Sequence, residues 1–263
     1  MPKVSIIMGV YNAQKREKIL SDSINSILNQ TFKDFEFIIC DDGSDDRTLD
    51  ILHEYEKNDS RIKILKNVKN MGLAYTLNKC LKYCKGDYIA RMDDDDISRL
   101  NRLEKQVEFL NQNYDYDLVA MNVNLFDENG IWGEKSYPEK IKKEDFLFTS
   151  PITHPTIMVR KKAFDKVDGY KEKWYTNRTE DYDLFMRMFC SGVNFYIIQD
   201  KLFDYREDKN CYQKRKYKYR INECVVRVID FGKLKLYPKA IPYVLKPLIV
   251  GLLPSSIIKK IHR

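Results

Sequence analysis

From Lys3 to Met92 the chain alternates short apolar runs with helically spaced ones, and that rhythm restricts the fold more than any other feature. Lys3 to Val10 is an apolar run of strand length, while Ile19, Ser23, Ile24, Ile27 and Leu28 recur at helical spacing. Phe35 to Cys40 reads as a strand again, Leu49, Ile51, Leu52 and Tyr55 as a helix, and Ile62 to Leu65 as a short strand. Leu73 to Cys84 then predicts a helix and Tyr88 to Met92 a strand. Runs that are apolar throughout are buried on both faces, so the expectation is a mainly parallel sheet flanked by helices. Such sheets bind ligands beyond the carboxyl ends of their strands. Two acidic clusters, Asp41-Asp42 and Asp93 to Asp96, fall at those ends.

Further along, the rhythm loosens. A helix is expected from Arg99 to Asn111, a single strand from Leu118 to Phe126, and a turn at Asp127-Glu128-Asn129-Gly130. Thr156 to Val159 reads as a strand, Lys161 to Val167 as a short helix, and Glu180 to Cys190 as a helix with Leu184, Phe185 and Met188 on one face.

Four adjacent aspartates repel one another and raise one another's pKa unless a cation or hydrogen-bond donors offset them. Mg²⁺ and Mn²⁺ take one or two carboxylates together with substrate phosphates, so Asp93 to Asp96 suit a metal–diphosphate site. The same residues also suit a solvated loop that caps the next helix. Asp41-Asp42-Gly43-Ser44 reads as an ordinary turn or as a carboxylate accepting the imide N–H of a pyrimidine. Glu180-Asp181 opens a helix, where acids are favoured electrostatically, yet an acid there also suits a general base. His154, beside Pro155, is read either as a contact to acceptor or phosphate or as a structural hydrogen-bonding residue. Trp174 and Tyr175 are read as core packing or as an apolar platform for an acceptor.

Taken in order, these segments resemble the inverting glycosyltransferases of family 2, which have the GT-A fold. The resemblance is carried by Val4 to Asn12, Ser26 to Phe32, Asp41 to Asp46, Asn70-Met71-Gly72-Leu73 and Tyr88 to Asp96. Downstream it continues in His154-Pro155-Thr156, Gly169-Tyr170 and Thr179 to Arg187. It implies that Gly9, Tyr11, Asp41, Asp42, Asn70, Arg91, Asp93 and Asp94 surround a nucleotide-sugar donor, with Tyr11 against the base and Asp42 or Asp41 on its edge. It implies that Asp93 and Asp95 hold Mn²⁺ or Mg²⁺, Asp95 being the direct ligand, and that Asp181 is the general base. His154, Trp174 and Glu180 fall on the acceptor side. The family pattern often has Ala or Ser at the position of Asp94, which leaves open which oxygens touch metal. The expected reaction moves a sugar from UDP-hexose or UDP-N-acetylhexosamine, with a dTDP sugar as the variant, to a lipid-linked or saccharide acceptor of bacterial polysaccharide synthesis.

The expected division is a GT-A catalytic domain over residues 1–208, with a donor half at 1–96 and an acceptor half at 97–208, followed by a basic tail at 209–263. The net charge of +7 is concentrated there: after Asp208, 14 Lys and Arg face 2 acids, a balance of +12 that leaves −5 upstream. Cys211 to Phe231 reads as an amphipathic helix, and Ala240 to Ile258 is apolar but broken by Lys246, Pro242, Pro247 and Pro254. Attachment to an anionic membrane surface is therefore expected rather than a spanning helix, with packing on the domain as the other reading. Six cysteines without a C-x-x-C pair read as reduced thiols, and no signal peptide is read at Met1 to Val10, so the expected location is cytoplasmic, on the inner face of the membrane. Two rival classes fit less well. A sugar-phosphate nucleotidylyltransferase would carry a Gly-rich, Arg-containing phosphate loop where this chain has Tyr11-Asn12-Ala13-Gln14, and a non-catalytic basic protein that binds nucleic acid or membrane leaves the acid clusters without a role. No nucleic-acid partner is expected.

Overall fold

The computed structural model describes residues 1–207 and 216–252. Strand β1 (Val4–Val10) is followed by α1 (Glu17–Leu28), β2 (Phe35–Asp41), α2 (Thr48–Asn58), β3 (Ile62–Lys66), α3 (Leu73–Leu81) and β4 (Tyr88–Arg91). A two-residue β5 (Ile97–Ser98) precedes α4 (Arg102–Gln112), β6 (Leu118–Met121), β7 (Val123–Asp127) and β8 (Gly130–Lys135). Then come β9 (Met158–Arg160), α5 (Lys161–Asp165), α6 (Glu180–Cys190), β10 (Phe195–Ile198), β11 (Phe203–Arg206), α7 (Tyr217–Lys233) and α8 (Ile241–Leu252).

The main sheet has seven strands in the order β10-β6-β9-β4-β1-β2-β3. All its pairings are parallel except those of β9, which runs antiparallel to β4 and β6. Side chains of β1 alternate between two cores, as strand geometry requires. Val4, Ile6, Met8 and Val10 pack with Leu20, Ile24 and Ile27 of α1, whereas Ile7 on the other face joins Leu77 and Cys80 of α3.

The expected single strand from Leu118 to Phe126 is two strands in two sheets. Its break is Asn122, whose Nδ2 donates to the Gln199 carbonyl at 3.2 Å while its Oδ1 accepts from the Tyr137 amide at 2.8 Å. Past it, β7 leaves the main sheet for a four-stranded one ordered β5-β11-β7-β8. Apolar alternation continues through Asn122, so the sequence pattern carries no sign of the switch.

The expected boundary at Asp208 and Lys209, the start of the basic helix at Cys211, and the end of the apolar tract beyond Leu252 lie outside the described residues. Within them, α7 is not peripheral. Its Val226 and Phe231 share a core cluster with Leu184 and Phe185 of α6. The buried Arg227 donates to the carbonyls of Leu147 at 2.6 Å and Phe148 at 3.0 Å, with its guanidinium 5.2 Å from the Tyr182 ring centroid. No helix among the described residues is long and apolar enough to cross a membrane.

Candidate active site

Parallel pairing of β1 with β2 and β4 brings their carboxyl ends to one edge, with Val10 opposite Asp41 and Ile7 opposite Arg91. Tyr11 emerges there with 42% of its surface exposed. The loops after β1 and β2 lock together: the Asn12 amide donates to Ser44 Oγ at 3.0 Å and the Asp45 amide to Asn12 Oδ1 at 3.2 Å.

The two acids after β2 are buried and engaged. Asp42 Oδ1 accepts from Asn67 Nδ2 and the Met71 amide, both at 2.8 Å, and its Oδ2 accepts from the Gly72 amide at 2.9 Å, so this carboxylate organises the loop into α3. Asp41 accepts from the Ser44 amide at 3.2 Å. Gly43 has φ +72°, and a side chain there would lie 2.3 Å from the Lys69 carbonyl carbon, so only glycine lets the two loops touch. Asn70 is exposed on the loop that Asp42 holds. Gly9 faces α3, where a Cβ would press on Leu73 and Thr76 at 3.1 Å, so packing alone accounts for its lack of a side chain.

Each acid after β4 has a different environment. Asp93 forms an ion pair with Arg91, which is almost fully buried. Asp94 Oδ2 accepts from Arg16 Nη2 at 2.5 Å, and burial still holds its pKa above the ordinary value. Burial, then the charges of Asp93 and Asp94, push Asp95 up to about 7. Asp96 points the other way: its Oδ1 accepts from the Arg206 amide of β11 at 2.7 Å, and its Oδ2 has no hydrogen-bond partner among the described residues. The run is thus held from two directions, because Arg206 Nε also donates to the Asp95 carbonyl at 3.0 Å.

Asp181 lies in the first turn of α6, half-buried, directly after the buried Glu180. Burial, then Asp181, push Glu180 up to about 7. The acids opening α6 and Asp93, after β4, all act on the charge state of Tyr170. Burial chiefly, then the negative charges of Asp181, Glu180 and Asp93, raise this phenol well above its ordinary value, against the opposing pull of Arg91. One buried ring therefore feels both acid groups. His154 Nε2 lies 2.8 Å from the Tyr170 hydroxyl, with Phe185 edge-on to its ring at 5.8 Å. Burial, then Arg91, hold His154 well below the usual imidazole value, so it is neutral and serves as a hydrogen-bonded wall. Trp174 is 68% exposed and packs edge-on against Tyr175 at 5.6 Å, so it is not a core residue.

The residues present fit a hard divalent cation shared with phosphates. Asp93 and Asp95 are oxygen donors crowded enough that Asp95 resists ionising, a penalty that a bound cation removes. No group of three or more His, Cys, Asp or Glu among the described residues is arranged to hold a metal alone. A cation here would need phosphate oxygens to complete its shell.

Sequence reading did not assign roles to Arg16, Tyr170, Tyr205 or Arg206. Tyr205 is raised first by burial and then by the charges of Asp96, Asp93 and Asp95. These residues come from elements distant in the chain, and apart from Tyr170, which stands in the Gly169-Tyr170 motif, no local motif marks them.

Comparison with known proteins identifies the family and the fold. The chain is 40% identical to EpsE of Bacillus subtilis (strain 168), over 100% of this chain and 94% of that protein. It is 30% identical to the UDP-Gal:alpha-D-GlcNAc-diphosphoundecaprenol beta-1,3-galactosyltransferase of Escherichia coli, over 100% of this chain and 97% of that one. Among solved structures, S. aureus TarS 1-349 in complex with UDP-GlcNAc superposes with a TM-score of 0.73 at 18% identity, covering 93% of this chain and 73% of that one. The mannosyltransferase PcManGT of Pyrobaculum calidifontis, in complex with GDP-Man and Mn²⁺, gives 0.64 at 16% identity, covering 99% and 79%. This chain spans 43% of the longer S. aureus TarS chain. The profile of Glycosyl transferase family 2 matches residues 5–168, and the chain belongs to that family as a glycosyltransferase of GT-A-like α/β fold.

Proposed function

We propose that the protein transfers a hexose or N-acetylhexosamine from a UDP-linked donor, with inversion, to a hydroxyl of a lipid-linked or saccharide acceptor in bacterial polysaccharide synthesis. The observation that carries this reading is Tyr170, a buried phenol on which the charges of Asp93, Asp181 and Glu180 all act. An inverting transfer needs acids in two roles, some at the departing diphosphate and one as a base on the acceptor hydroxyl. The UDP-GlcNAc bound by the TarS relative and the diphosphoundecaprenol acceptor of the E. coli relative support the donor and acceptor classes. The Mn²⁺ of PcManGT supports the metal.

In this reading Tyr11 lies against the base, while Asp42 fixes the loop after β3 around it. Asp93 and Asp95 hold Mn²⁺ or Mg²⁺, which offsets charge on the leaving diphosphate. Arg16 neutralises Asp94, so that the run does not repel the donor. Asp181 accepts the acceptor's proton as its oxygen attacks the anomeric carbon. Glu180, buried beside it, holds its own proton toward neutral pH, burial being the main cause.

The exposed residues Ile241, Leu245, Ile249 and Leu252 share one face of α8. With Lys239 and Lys246 alongside, this stripe suits an anionic bilayer, which would hold the site near a lipid-borne acceptor. The deciding experiment is a panel of UDP- and dTDP-sugars with Mn²⁺, scored for hydrolysis and transfer by wild type and by Asp181→Asn. The variant is expected to bind UDP-sugar normally and lose about 10²–10⁴-fold in turnover; undiminished turnover would remove Asp181 from its role.

A further inference from the structure

Between the turn at Trp174–Thr176 and the first turns of α7 runs an open groove of ≈ 380 Å³, lined by Trp174, Asn177, Lys218, Tyr219, Ile221 and Asn222. Its two walls are tied together, because the buried Asn222 donates from Nδ2 to the Asn177 carbonyl at 3.0 Å. The lining is amphiphilic. Trp174 is 68% exposed and Ile221 42%, while the Lys218 ammonium stands 5.1 Å from the Tyr219 ring centroid. Large apolar side chains left in water beside a fixed cation mark a contact surface rather than a core that failed to close. Along the chain, Asn177 of the groove lies four residues before Asp181 in the first turn of α6.

We infer that this groove seats an isoprenyl diphosphate, with the first prenyl units on Trp174 and Ile221 and the phosphate on Lys218, so that the sugar it bears reaches Asp181. The inference rests on the lipid-linked acceptor proposed above and adds that the tail helix α7 supplies one wall of the acceptor site. An apolar chain joined to an anionic head matches this lining in both parts. Lysine is a point charge suited to phosphate, and the aromatic and branched side chains suit prenyl units. A purely saccharide acceptor would give Ile221 and Lys218 nothing to do.

The test uses intrinsic fluorescence of the full chain. It has 2 Trp, so a Trp132→Phe background leaves Trp174 as the reporter. Titration with farnesyl diphosphate below its micellar range is expected to shift the emission saturably, with at least about tenfold weaker affinity in Lys218→Glu and in Ile221→Asp. Inorganic diphosphate and farnesol alone are expected to produce no comparable shift. Absence of a shift, a shift that both substitutions leave unaltered, or an equal response to either half-ligand overturns the inference. UDP-sugar hydrolysis with Mn²⁺, run on the same variants, is expected to match the background protein. Should wild type neither bind nor hydrolyse any UDP-sugar, the catalytic reading fails, while the titration still decides the groove.

Discussion

Arg16 Nη2 lies 2.5 Å from Asp94 Oδ2, joining the short helical turn after β1 to the aspartate run after β4. The pair is partly shielded, with 31% and 14% of the two side chains exposed, so its loss is felt more than that of a surface salt bridge. Arg16→Ala is expected to destabilise the fold by about 1–2 kcal/mol. It should also weaken Mn²⁺-dependent nucleotide binding. Adding Asp94→Asn should recover part of the stability, because the unpaired buried charge is then gone. Urea denaturation of the two single variants and the double provides the check, and strictly additive losses would dismiss the coupling.

Asp42 is the structural pin of the donor side. Its carboxylate takes three donors in a buried place, so Asp42→Ala is expected to cost about 3 kcal/mol and to release the loop that enters α3. Hydrogen exchange at the Met71 and Gly72 amides reports this directly. Unchanged protection of both would show that the loop holds itself.

Glu180 makes stability depend on pH. Its carboxyl moves from 4.5 to about 7 on folding, through burial first and the neighbouring Asp181 second. The folded protein therefore binds this proton more tightly than the unfolded chain does. The resulting stabilisation is complete below pH 4.5 and is lost as pH rises through about 7. Glu180→Gln is expected to shrink the stability difference between roughly pH 5 and pH 8 by on the order of 2 kcal/mol. Parallel pH profiles for wild type and variant would count against a buried, protonated Glu180.

Attachment through α8 predicts that wild type sediments with phosphatidylglycerol vesicles and is released by salt, as charge screening demands. Leu245→Glu with Ile249→Glu is expected to abolish sedimentation without unfolding the protein, since both side chains already face water. Retained binding in a folded double variant would rule out this face.

The sheet edge was legible because its signals are local. The apolar runs of β1, β2 and β4 each end in the residues that occupy the sheet edge, so order along the chain gives position in space. Asp181 was legible as an acid opening a striped helix, though nothing in that stripe says that its charge and that of Asp93 both act on Tyr170. Asn122 was missed because polar residues are ordinary inside half-buried strands, and what turns the chain is its bonding to Gln199 and Tyr137, which no window around it contains. The tail posed a similar difficulty. Its cationic composition suggests solvent or lipid, yet Arg227 lies inside the protein, satisfied by carbonyls from the segment before α6.

Strand β11 has a consequence for how the enzyme is put together. The amide of Arg206 grips Asp96, and its side chain grips the Asp95 carbonyl, across more than a hundred intervening residues. The amino-terminal portion thus spells out all four aspartates without owning the clasp that sets them. During synthesis on the ribosome the aspartate run would stay unclasped until β11 has emerged, so a nascent or truncated chain that stops short of Arg206 lacks the contacts that hold Asp95 and Asp96 in place.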